Sequence, residues 1–233
     1  MKKLGFLFLT LFLPTAAWAV DGQIAINQAT VMAAGGFPYV ISQAGSYKLT
    51  GNLVMNTTQN GNSNASLCCG NSDVAILITH SNVSLDLNGF TISIGNNITG
   101  MAHEVFAIFS PFSLPPTVLG IAVFNGNITF SNTGSFSTRQ ADENSGFKGI
   151  FLGAAAFVRV EDIFILTGGT ANFGSISGSN HFGLVVGNYS VVRHVQTDNV
   201  IFISCPSIYA ENAANFLATT DGCPAGALTV IVP

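Results

Sequence analysis

Charge is scarce in this sequence. Of 233 residues only 8% are Asp, Glu, Lys or Arg, seven basic against 11 acidic. Lys2 and Lys3 lie in an N-terminal stretch with leader character, so five basic residues serve the rest of the chain, whose net charge is near −6. A nucleic-acid partner calls for clustered Lys and Arg, and no such cluster exists. A groove for a polyanionic polysaccharide would draw on the same charges, so that class is disfavoured as well. Exposed helix faces are built largely from Glu, Lys, Arg and Ala, and their shortage excludes a mainly helical surface.

Other absences narrow the field further. The single tryptophan, Trp18, falls in the leader. Broad aromatic platforms for sugars must then come from residues such as Tyr189, Tyr209 or Phe182. The four histidines, His80, His103, His181 and His194, show no metal-ligand spacing. Beyond the leader no apolar run reaches the ~20 residues of a membrane-spanning helix. The leader itself reads as a secretory signal over residues 1–19: Lys2 and Lys3, an apolar stretch over residues 4–13, then the small-x-small site Ala17-Trp18-Ala19. Export places the protein outside the cell, in the periplasm or in the cell envelope. In such compartments the four cysteines suggest disulfides. Cys205 and Cys223, 18 residues apart, are the expected pair. Adjacent Cys68 and Cys69 either close a strained ring or stay as thiols.

What the chain has in quantity is Phe, Val, Ile, Thr and 25 glycines, the composition of strands broken by turns. In "SNVSLDLNGFTISI" (residues 81–94), Val83, Leu85 and Leu87, then Phe90, Ile92 and Ile94, alternate with small or polar residues around an Asn88-Gly89 corner. Asp86 is positioned to cap that corner, as Asx side chains do. Apolar triplets recur at residues 76–78, 150–152, 184–186 and 201–203, each followed by a second apolar run. Ile150 and Leu184 are 34 residues apart, as are Val158 and Val192. That offset superposes Gly149 on Gly183 and Arg159 on Arg193. A period of this size in an all-β chain predicts a stacked solenoid: a single parallel β-helix over residues 37–233, with Leu85, Leu87, Ile92, Val158, Val160 and Val192 facing inward. Such a fold pairs its backbone between neighbouring strands and needs little surface charge. Residues 20–36 are expected to cap its open end, with a short helix N-capped by Asn27 and ended by Gly35-Gly36.

Two stretches, "FPYVISQAGSYKLTGNLVM" (residues 37–55) and "VAILITHSNVSLDLNGFTISI" (residues 74–94), resemble the opening of secreted bacterial right-handed parallel β-helix proteins, in which a GSYxLTGNL strand precedes VTLDLNGFTI. "CPSIYAENAANFLATTDGC" (residues 205–223) is similar to their last coil. The resemblance implies a right-handed, pectin-lyase-like fold and no single activity. Three segments depart from the strand pattern and read as long excursions: residues 101–120 with Pro115-Pro116, which cannot sit inside a paired strand, residues 131–147 and residues 168–182.

Catalysis on such a scaffold needs clustered ionisable groups. A calcium-dependent lyase uses a carboxylate cluster with an Arg or Lys base, and a glycosidase uses facing carboxylates. Here the acids are scattered, and the motifs of pectate lyases and polygalacturonases are absent. The best constellation is Arg159, Glu161, Asp162, Arg193, His194 and Asp198. Arg159, Arg193, His194 and Asp198 are its candidate catalytic residues, and Glu161, Asp162 and Tyr189 its candidate ligand contacts. The alternative is an exposed ion-pair ladder of little energetic weight. Asp142 and Glu143, followed by Asn144, are the one place where calcium is a candidate; otherwise no cofactor is expected. Three functions remain in play. The first is a non-catalytic β-helix presenting loops for surface interaction or adhesion, with a polysaccharide or cell-surface glycan as partner. The second is a polysaccharide lyase or glycoside hydrolase, and the third a divergent relative that keeps only the scaffold.

Overall fold

The computed structural model describes residues 22–57, 72–96, 104–111, 118–132, 146–166, 182–203, 207–210, 213–219 and 228–231. Sixteen strands and one helix lie within them, and every strand pairing is parallel. The strands form three rows. The first holds β2 (Tyr39–Ile41), β5 (Ser72–Ile78), β8 (Glu104–Phe109), β10 (Gly146–Leu152) and β12 (Phe182–Val186). The second holds β1 (Ile24–Ile26), β3 (Gly45–Leu49), β6 (Val83–Asp86), and the first parts of β9 (Ile121–Asn132), β11 (Arg159–Leu166) and β13 (Val191–Ile203). It ends with β14 (Ser207–Ala210) and β16 (Leu228–Ile231). The third holds β4 (Leu53–Thr57), β7 (Thr91–Asn96) and the later parts of β9, β11 and β13, followed by β15 (Ala213–Thr219). The chain visits the rows in that order, then returns to the first. The last residues of β13 and β15 rejoin the first row directly, Leu184 facing Ile201 and Ile201 facing Leu217.

Alternation along each strand sends one apolar set inward, and in-register stacking turns that set into columns. Leu85, Val123, Val160 and Val192 make one column; Ile92, Ile128 and Ile165 a second; Ile76, Ile108, Ile150 and Leu184 a third. All are at most 1% exposed and belong to one core cluster. All six positions expected to face inward do so, Leu87 and Val158 included. A second, smaller apolar layer of Val74, Leu77, Phe106 and Phe109, with Phe151 against it, lies outside that core.

The N-terminal end carries α1 (Gln28–Ala33). Asn27 is its N-cap: Thr30 N donates to Asn27 Oδ1 at 3.0 Å, and Asn27 N donates back to Thr30 Oγ1 at 2.8 Å. Gly35 and Gly36 follow at positive φ. Gln28 closes the first strand of the third row with its side-chain amide, donating to Val54 O at 3.2 Å and accepting from Val54 N at 2.8 Å. A strand edge otherwise left open is thereby partly satisfied.

Two expectations are corrected. Residues 101–120 are not one excursion: Glu104–Phe109 is strand β8, paired on both sides in the first row. The proline pair lies later, and the apolar run before it is ordinary strand. The offset of 34 holds in the first row, where Ile150 faces Leu184 and places Gly149 on Gly183. In the second row it shrinks to 32, with Arg159 facing Val191 and Glu161 facing Arg193. Arg159 therefore does not stack on Arg193. The connection between the two rows is two residues shorter after Val186 than after Leu152. An even slip preserves which side chains face inward while changing their neighbours.

Candidate functional site

The outer face of the second row gathers most of the predicted residues. The middle second-row strands, β9, β11 and β13, are bracketed by residues in the left-handed backbone region, and β6 is preceded by one. Before them stand, in register, Asn82, Gly120, Phe157 and Tyr189, with φ of 58, 68, 56 and 56°. After the middle strands stand Asn125, Asp162 and His194, with φ of 64, 53 and 49°. This geometry bends the chain from row to row. Asn and Gly enter it cheaply, whereas a bulky side chain there is an outlier worth explaining. Phe157 and Tyr189 nonetheless occupy it, their rings stacked with centroids 5.1 Å apart and planes at 16°. They remain 58% and 55% exposed.

Between these two columns lie the charged residues. Arg159 donates to Glu161 within the same strand at 2.5 Å. The hydrogen bond from Arg159 lowers the Glu161 pKa; burial opposes the shift, while the charges of Arg159, Arg193 and His194 reinforce it. Arg159 is raised in turn, first by that hydrogen bond and then by the Glu161 charge. Asp162 and His194, stacked in the corner column, pair through Oδ1 and Nδ1 at 2.9 Å, both more than half exposed. Asp198 belongs elsewhere: its neighbour Thr197 faces Ile165 in the third row, beyond the corner at His194. The structure thus brings together Arg159, Glu161, Asp162, Tyr189, Arg193 and His194 on one surface and sets Asp198 on the next. Asp142, Glu143, Cys68, Cys69, Cys205 and Cys223 lie outside the described residues.

This surface offers carboxylate acceptors, guanidinium donors and one His–Asp pair. Glu161 stays ionised, so it accepts hydrogen bonds and has no proton to donate near neutrality. Arginine does not deprotonate to act as a base. Ion pairs this exposed contribute about 0–1 kcal/mol to stability. Among the described residues no group of three or more His, Cys, Asp and Glu could hold a metal ion, and no helix is long and apolar enough to cross a membrane.

Two features escaped sequence reasoning. Phe157 was hidden because neither its conformation nor its partner follows from local pattern; an aromatic two residues before a strand on two successive circuits was the only signal. The other is an ion pair between Lys148 and Glu104, on the outer side of the first row. The Lys148 ammonium lies 5.1 Å from the centre of the Phe106 ring and 4.9 Å from that of Phe151, and its side chain is 8% exposed. Asp86 caps its corner as expected, its Oδ1 accepting from Asn88 N at 2.7 Å, and His80 lies in a bend where its Nδ1 contacts Ser81 O at 2.8 Å.

Comparison with family models, with curated proteins and with solved structures returns no match. The fold and site define a parallel, all-β protein with a polar and aromatic outer face, and its function is argued from that geometry.

Proposed function

We propose that this chain is an exported right-handed parallel β-helix of the secreted bacterial kind it resembles, and that it acts by presenting inserted segments to a polysaccharide or cell-surface glycan rather than by catalysis. The fixed order of the rows supports the helical winding. Crossovers between parallel strands are right-handed in about 98% of cases, which supports the hand.

One observation carries the functional reading. Four successive connections, residues 58–71, 97–103, 133–145 and 167–181, all run from a third-row strand to the next first-row strand. The same junction is made inside β13 with only three residues between Thr197 and Ile201. The winding therefore does not require the inserted segments, and their recurrence at one junction is what a presenting surface needs. Residues 133–145 lie within, and residues 167–181 overlap, two segments read from sequence as excursions over 131–147 and 168–182.

The test excises residues 168–180 and joins the ends through a short Gly-Asn link. Wild type and variant are then assayed for binding and turnover on uronate-containing and neutral polysaccharides, with and without calcium. Binding without turnover, weakened by the excision at unchanged melting temperature, supports presentation. Turnover that disappears in Arg193→Ala would overturn it in favour of a lyase or hydrolase.

A further inference from the structure

The corner between the second and third rows carries two Asn-Gly pairs at successive levels, Asn88-Gly89 and Asn125-Gly126. Asn is chemically labile, and a following glycine makes it most reactive. Once the glycine N–H has given its proton to hydroxide, that nitrogen attacks the Asn Cγ. A C–N bond forms, ammonia leaves with a proton from water, and a five-membered imide remains. Water opens the imide at either carbonyl, leaving Asp or an isoaspartate whose backbone runs on through Cβ and Cγ. Net, one water is consumed and one ammonia released. Glycine favours the attack because it has no Cβ to crowd the nitrogen and leaves the chain free to rotate.

The fold withholds that freedom at both pairs. Leu87 to Phe90 form a type I′ turn: Asn88 and Gly89 have φ of 51 and 75°, and Phe90 N donates to Leu87 O at 2.8 Å. Asn88 Nδ2 donates to Leu49 O at 3.2 Å, toward the level before. Gly89 N donates to Asn125 O at 2.7 Å, toward the level after. Electrophile and nucleophile are thus tied to opposite neighbours. Asn125 is held in turn, its φ at 64° and its Nδ2 donating to Asp86 Oδ1 at 3.2 Å. Gly126 is buried and pressed onto the level before it: a Cβ there would fall 2.3 Å from Leu87 Cβ and 2.9 Å from Phe90 O. Its peptide has no room to swing toward Asn125 Cγ. Asp86 Oδ1 also accepts from Asn88 N at 2.7 Å, so one carboxylate oxygen anchors both pairs.

We infer that Asn88 and Asn125 are latent modification sites held shut by the native corner, with Asp86 as the positioning residue, and that they convert to Asp or isoaspartate only when this corner opens. Conversion at Asn88 replaces the donor to Leu49 O with a carboxylate. The isoaspartate form also adds a backbone carbon inside the turn that sets the register of β7. Conversion at Asn125 puts a carboxylate against Asp86 and one level from Asp162. A converted chain therefore does not return to the same corner, and the two sites keep an irreversible record of local opening. None of these residues lies in the inserted segments, so the sites stand or fall separately from the presenting role.

The test is peptide mapping by mass spectrometry, with enzymatic detection of isoaspartate, on the full chain kept in mildly alkaline buffer, either folded or in concentrated guanidinium chloride. Conversion at Asn88 and at Asn125 is expected to be at least tenfold slower in the folded chain. Asp86→Ala removes the shared acceptor and should speed both sites threefold or more while circular dichroism still shows a folded chain. Asp86→Asn keeps an acceptor oxygen and should leave both rates within twofold of wild type. A folded-to-unfolded ratio below tenfold at either site would overturn the assignment, as would equal rates in wild type and a folded Asp86→Ala chain. If Asp86→Ala does not fold, the wild-type ratio and the Asp86→Asn rates decide.

Discussion

The ion pair between Lys148 and Glu104 offers the sharpest test of the packing described. Its two side chains are 8% and 18% exposed, with two aromatic rings near the ammonium. Removing one partner of a buried pair leaves the other charge uncompensated and costs about 3–5 kcal/mol. For Glu104→Gln the Phe106 and Phe151 faces retain part of the attraction, about 0.5–2 kcal/mol for a cation over a ring. The expected loss is therefore near the lower end, about 3 kcal/mol. In a domain of this length each kcal/mol moves the melting temperature by about 2–4 °C, so the variant should melt about 6–12 °C lower. Lys148→Met alone should also destabilise, by stranding the carboxylate. The double variant Glu104→Gln/Lys148→Met should recover most of the loss, because apolar replacement of a buried pair is often neutral or better. Thermal unfolding followed by circular dichroism gives the full double-mutant cycle. If Glu104→Gln melted within 2 °C of wild type, or the double variant were as unstable as the sum of the singles, the pair would be solvated and this account of the outer layer wrong.

Other outcomes follow from the same geometry. Gly149→Ala would place a Cβ 2.5 Å from the carbonyl oxygen of Gly183 and 2.7 Å from Ile165 Cγ2; overpacking of this kind should destabilise by about 1–3 kcal/mol, and an unchanged denaturation midpoint would refute the close approach. The folded state depresses the Glu161 pKa, chiefly through the hydrogen bond from Arg159. Its contribution is therefore present above the unfolded value of about 4.3 and lost as pH falls through the folded value. Because Arg159 is exposed, the effect should stay below about 1 kcal/mol: Glu161→Gln should flatten the acid limb of stability against pH and leave the neutral plateau within that amount. A plateau falling by several kcal/mol would show Glu161 to be a buried structural charge.

Much of the architecture was legible without coordinates because it rests on local periodicity. Val83, Leu85 and Leu87 alternate with polar neighbours, and alternation alone decides which side chains face inward. The cap at Asn27 and the Asx turn at Asp86 depend on neighbours two or three residues away, so they were legible too. The glycine pair at Gly149 and Gly183 was visible through one apolar triplet superposed on another. Tertiary structure alone decided which outward residues meet, because that depends on the length of every connection between rows. Two residues fewer before β13 moved Arg193 from Arg159 onto Glu161 and left every inward position unchanged. A 44-residue separation brought Lys148 to Glu104, and no pattern in the chain carries that distance. The aromatic stack follows the same reasoning: Phe157 and Tyr189 are 32 residues apart, and only the packed stack makes them neighbours in a backbone conformation their own chemistry disfavours.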